Sequence, residues 1–168
     1  PYRDRLALTG VKGEIKGGRG PGPKVSVIGE LDALLVSTPE NRRYLSGFTG
    51  SAGYLLVSVE QAVLATAFRY VEQAGQQAPG YRVERVTGKL AWFPKVAAEL
   101  GVKRIGFESQ HLTFGAHTSF QKAIRDADRS DGLALVETSD TLDLMRASKY
   151  AEELQLLARA VKITDEAF

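Results

Sequence analysis

Residues 44–57 read YLSGFTGSAGYLLV, with Gly47, Gly50 and Gly53 at intervals of three and Ser46, Thr49 and Ser51 among them. A glycine-rich loop beside an apolar run can offer backbone N–H groups to a phosphate. That chemistry wants GxxxxGK[ST], or GxGxxG opening a helix after a strand. Here no lysine follows, and the loop leads into an apolar run, so the pattern argues against phosphate. His111 and His117 are the only histidines. On a helix a spacing of six puts them on different faces, whereas a metal pair favours i and i+4. Ser51 lies in Gly-Ser-Ala-Gly, outside any GxSxG motif and with no visible base, which favours loop packing over nucleophilic chemistry. Glu108, Glu137, Asp140 and Asp143 have the spacing of a solvated strand-to-helix connection and form no metal-ligand set. Trp92-Phe93-Pro94 reads as core packing, with an exposed interface anchor as the alternative.

The 168 residues suit one domain, or one domain with a piece of another. Hydrophobic residues make up 43% and charged residues 25%, enough for a core without staples. Cysteine is absent, which excludes disulfides and thiolate metal sites. A reducing, cytoplasmic setting is the matching expectation. No apolar run is long enough to span a membrane. The net charge of +2 is uneven: residues 1–24 carry +4 and the remainder −2. The basic arm shows no aromatic–basic interleaving, so it reads as a solvated terminal segment, with no nucleic-acid or membrane partner expected.

These candidate residues need elements to position them. GGRGPGPK at 17–24 disfavours regular structure, so 1–24 reads as extended or irregular. DALLVS (32–37) reads as a buried strand. Thr38, Pro39 and Glu40 open a two-turn helix that Gly47 closes. YLLVSV (54–59) and AVLAT (62–66) read as a hairpin, 69–78 as a helix and YRVERV (81–86) as a strand near an edge. A helix from Pro94 to Leu100, a strand at 104–108, a Thr113-capped helix, a strand at 133–137 and a turn or two of helix at 141–147 follow. The order predicts an α/β domain with a mixed sheet over 25–148. Residues 149–168 form a separate unit, a helix of about 28 Å with Leu154, Leu157, Ala158, Val161 and Phe168 on one face.

The stretch LDALLVSTPENRRYLSGFTGSAGYLLVS (31–58) resembles the N-terminal domain of the Xaa-Pro peptidase (aminopeptidase P and prolidase) and creatinase family. The resemblance continues through FRYVEQA (68–74), GVKRIGFESQHLT (101–113) and RASKYAEELQLLARAVKITDEAF (146–168). It implies a mixed-sheet, ribonuclease H-like α/β domain without catalytic residues. It also implies a metallopeptidase parent whose separate pita-bread catalytic domain binds two divalent ions (Mn, Co or Zn) through two Asp, one His and two Glu. No cofactor is then expected in this chain, which would be a truncated piece, inactive alone. The tail helix would be the first helix of the absent domain. The implied partners are that catalytic domain and other subunits of a homo-oligomer, with the N-terminal domain limiting access to the active site. By motif match Asn41, Tyr44, Phe48, Arg69 and Tyr70 are the gating or interface candidates, with Trp92 beside them; Phe48 is expected to be the contact residue of the glycine loop. Where the family has Thr-Asp-x-Arg-Tyr, this chain has Thr66-Ala67-Phe68-Arg69-Tyr70, without the acid. The family's leading amphipathic helix is replaced by GGRGPGPKVSVIG. A free-standing binding or scaffold domain, and a creatinase-like amidinohydrolase parent, remain the alternative readings.

Overall fold

The computed structural model describes residues 7–9, 14–16, 31–58, 60–88, 90–127, 132–139 and 141–167. Within the arm read as irregular, Ala7–Thr9 (β1) and Glu14–Lys16 (β2) pair antiparallel, with Leu8 opposite Ile15. Three-residue strands of this kind escape a reading that weighs glycine and proline content. The stretch 17–24 lies outside the described residues.

The main sheet has six strands in the order β6-β5-β4-β3-β7-β8. They are β3 (Ala33–Val36), β4 (Tyr54–Ser58), β5 (Ala62–Ala67), β6 (Arg82–Val86), β7 (Arg104–Glu108) and β8 (Ala134–Thr138). Strand β4 runs antiparallel to both β3 and β5, whereas β3–β7, β5–β6 and β7–β8 are parallel. The sheet is therefore mixed. All four residues of β3 are buried, as a central strand covered on both faces requires.

Each face has its own core. Leu34, Val36, Leu55 and Leu64 point to one side, where Leu45 and Phe48 pack with Ala74 of α2 (Val71–Gln77) and Leu142 of α5 (Thr141–Ala147). Leu35, Leu56, Val63 and Ile105 point to the other. There they meet Phe93 of α3 (Trp92–Leu100) and Phe120 of α4 (Phe114–Arg125). Alternation along β3 thus sorts its side chains between two layers of helices. Helix α4 starts where Thr113 accepts a hydrogen bond from the Ala116 amide, the expected cap. Helix α3 begins two residues before Pro94, which fits inside a first turn because its missing N–H would find no helical partner there.

The last helix, α6 (Ala151–Ala167), buries no residue. Leu154, Leu156, Leu157, Val161 and Ile163 are exposed along it.

Candidate functional site

Helix α1 (Pro39–Ser46) is two turns long and sits at the carboxyl end of β3. Its backbone starts at Thr38, with Pro39 in the first turn, and ends at Gly47 in the left-handed region (φ 78°). Asn41, Arg42, Leu45 and Ser46 are all buried. The two neighbours Asn41 and Arg42 carry different networks.

Arg42 holds the glycine loop. Its Nη1 donates to the Gly53 carbonyl (2.6 Å) and its Nη2 to the Gly50 carbonyl (2.8 Å). Arg42 is 2% exposed, and its guanidinium lies 5.8 Å from the Phe48 ring centroid. Five N–H groups in a fixed fork suit one side chain to two diverging carbonyls. Burial pushes the Arg42 guanidinium below its ordinary range, and Glu108 pulls against that shift. The glycine spacing has a steric reason here. A Cβ on Gly50 would come within 2.2 Å of the Phe48 Cζ, so the missing side chain makes room for the aromatic one.

Phe48 is therefore a correction to the expected contact residue. It is buried at 1% exposure, edge-on to Tyr70 with centroids 6.0 Å apart. Trp92 is likewise no exposed anchor: it is buried at 6%, packed with Tyr54, Phe93 and Phe120. Tyr44 is half-buried against the core that contains Leu45. The outward residues of the motif come from the turn Phe68–Tyr70. Phe68 is 70% exposed, with Arg85 5.9 Å above its ring. Arg69 is exposed and lies 5.0 Å from the Tyr70 ring centroid. No carboxylate pairs with Arg69 among the described residues, in keeping with Ala67 standing where the family motif has an acid. The Tyr70 hydroxyl bonds the Ser51 hydroxyl at 2.7 Å. That bond, with the charge of Arg69, holds the Tyr70 phenol below its ordinary value against a smaller opposing effect of desolvation. The structure thus brings Ser51, Arg69 and Tyr70 together on one surface and places Asn41, Phe48 and Trp92 inside.

The second network corrects the reading of Glu108 as a solvated acid. Glu108, at the end of β7, is buried. Its Oε2 accepts from the Ser37 amide (2.6 Å), the Ser37 hydroxyl (2.9 Å) and the Thr38 amide (2.8 Å). Its Oε1 accepts from Asn41 Nδ2 at 2.7 Å. A carboxylate at the start of a helix satisfies orphan amides and the positive helix end together. Glu108 thereby occupies the place an anionic ligand would take at the carboxyl ends of parallel strands. An open pocket of about 490 Å³ lies beside it, lined by Ser37, Glu40, His111, Asp143 and Arg146 among others. His111 Nε2 is 4.0 Å from Asp143 there, while His117 lies against Phe107, so the histidines serve separate places. Among the described residues no group of three or more His, Cys, Asp or Glu side chains is arranged to hold a metal ion. A larger groove of about 990 Å³ runs between α3 and α4 and contains none of the candidate residues.

Comparison with known proteins bears on this arrangement. The creatinase/prolidase N-terminal domain model matches residues 29–148. An uncharacterized peptidase of Bacillus subtilis, YqhT, is 37% identical over 139 residues, covering 82% of this chain and 38% of its own length. The Xaa-Pro dipeptidase of Bacillus anthracis superposes with a TM-score of 0.74 at 36% identity, over 82% of this chain and 37% of that one. The N-terminal domain of the cytoplasmic peptidase PepQ from Mycobacterium tuberculosis H37Rv gives 0.60 at 39% identity, over 67% of this chain and 85% of that one. This chain spans little more than a third of the first two relatives, whereas it covers most of the third, itself a single domain. With the mixed sheet, the Arg42-pinned loop and the Arg69–Tyr70 turn in place, the chain belongs to the creatinase/prolidase N-terminal domain family of Xaa-Pro peptidase proteins.

Proposed function

We propose that this chain is the non-catalytic N-terminal domain of a metal-dependent Xaa-Pro aminopeptidase or dipeptidase, where it borders the substrate route and takes part in subunit assembly. The observation carrying this reading is the 36% identity to an Xaa-Pro dipeptidase across 82% of the chain. Two surfaces support it. The exposed turn at Phe68–Tyr70 offers an aromatic ring, a guanidinium and two hydroxyls to an approaching peptide. The unburied α6 offers apolar side chains to a further domain or subunit.

The bond before proline calls for a dedicated enzyme, because proline lacks an N–H and fixes its φ. Divalent ions held in the catalytic domain would supply an activated hydroxide for attack on the preceding carbonyl. This chain's own part is to limit and orient: Arg69 can pair with a substrate carboxylate, and Tyr70, held by Ser51, fixes the plane against which Arg69 lies.

The test uses the full-length protein with Mn²⁺ or Co²⁺, assayed on Xaa-Pro dipeptides, Xaa-Pro tripeptides and creatine. Metal-dependent cleavage of an Xaa-Pro substrate is expected, with Arg69→Ala raising KM by about tenfold, as loss of a charge-assisted contact would. Absence of Xaa-Pro cleavage overturns the peptidase reading; creatine turnover replaces it. An unchanged KM in Arg69→Ala removes the gating role.

A further inference from the structure

Helix α5 is the last element that packs on the sheet before α6. Leu142 is buried in the core and Met145 packs against it. Those two contacts fix one side of a helix of seven residues, and a short helix held along a single apolar line can still rock about it. The other restraint is polar. Arg146 Nη1 donates to Asn41 Oδ1 at 3.0 Å and lies 3.3 Å from Asp143 Oδ1. Asn41 meanwhile donates its Nδ2 to Glu108 at 2.7 Å. The amide of Asn41 is therefore used at both ends, and its orientation is set from both sides. Swapping its oxygen and nitrogen would put N–H against a guanidinium and oxygen against a carboxylate. Glu108 is in turn fixed by two backbone amides and a hydroxyl. The chain of contacts joins three elements far apart in sequence, since Asn41 and Arg146 are separated by 105 positions.

We infer that Glu108, Asn41 and Arg146 form a positioning relay that locks α5 onto α1 and so fixes the direction in which the chain runs into α6. Arg146 is the outer, replaceable link. Its side chain is 37% exposed, so removing it leaves no buried charge behind. Asn41 is 1% exposed and is the inner link, bonded to Arg146 on one side and Glu108 on the other. The relay concerns this chain's own geometry and stands whether or not the proposed peptidase function does.

Amide hydrogen exchange followed by NMR on the 168-residue chain tests it. Arg146→Ala should speed exchange at residues 145–147 by about tenfold, with the amides of β4 and β5 unchanged, as a local opening requires. Asn41→Ala should produce the same acceleration at 145–147, beyond any change in the central strands. Combining the two should add nothing further, because each breaks one chain of contacts. Arg43→Ala, an exposed arginine of α1 outside the relay, should leave α5 protection unaltered. Unchanged exchange in Arg146→Ala would mean that Leu142 and Met145 hold α5 alone and would overturn the inference. So would additive effects of the two substitutions, or an acceleration spread evenly over the sheet.

Discussion

Helices α3 and α6 are both rich in apolar residues and are placed in opposite ways. In nine residues α3 buries Trp92, Phe93, Pro94, Val96 and Ala97; in seventeen, α6 buries none. Sequence pattern does not separate them, since both carry an apolar stripe. What separates them is a partner. Helix α3 lies on the sheet face presented by Leu35, Leu56, Val63 and Ile105, while both faces of that sheet are already covered before α6 begins. Amphipathicity specifies which side of a helix avoids water, and the surrounding chain decides whether anything is there to meet it.

Substitutions can press on this contrast. Phe93→Ala should have the largest effect, costing about 4 kcal/mol because it empties a ring-sized space among Trp92, Phe120 and the sheet. Urea unfolding would register it as a lower midpoint. Arg42→Met comes next, at about 3 kcal/mol, because the Gly50 and Gly53 carbonyls lose their donor inside the protein. Arg42→Lys should recover little of this, since one ammonium cannot match the fork. That result would sharpen the contrast by showing that the filled side of the molecule depends on a buried charge as well as on apolar contact. Leu157→Gln in α6 should shift stability by less than about 0.5 kcal/mol. A loss comparable to that of Phe93→Ala would break the contrast, because α6 would then have to pack on this domain.

The smallest expected effect is spectroscopic. Ser51→Ala should raise the Tyr70 phenol back toward its ordinary value of 10.0, read from the absorbance of phenolate during alkaline titration. The folded chain holds that phenol below its ordinary value, so the linked stability appears above pH 10 and is lost as pH falls through the folded value. No change in the titration on Ser51→Ala would mean that Arg69 alone sets it.

Most elements were legible because their signals are local. Strand β7 at 104–108 and helix α5 at 141–147 match their expected bounds, and the Thr113 cap needs only the residues around it. The glycine loop's failed phosphate pattern was legible, and the steric reason for its spacing became clear only with Phe48 in place. Arg42 escaped notice and Glu108 was read as a solvated acid because charged residues ordinarily face water. Their partners lie across the fold: Glu108 reaches residues 37, 38 and 41 from some seventy positions away. A hint existed in the short helix itself. Between a buried strand and a glycine loop, a two-turn helix has few positions that can remain outside. Phe48 was misplaced for the complementary reason, since an aromatic residue in a glycine loop looks exposed until the space left by Gly50 is counted.

Strand β3 has a temporal consequence. Its partner on one side, β4, follows within a short stretch of chain, while on the other side Ala33 must wait for Ile105 and Leu35 for Phe107. As the chain leaves a ribosome, β3 to β6 can assemble while the rest is still unmade, leaving one edge of β3 briefly unpaired. The Ser37 and Thr38 amides stay without their acceptor until Glu108 arrives. Pulse-labelled exchange during refolding should therefore find Leu55 and Leu64 protected before Ile105 and Phe107, with the late closure of β7 setting the pace.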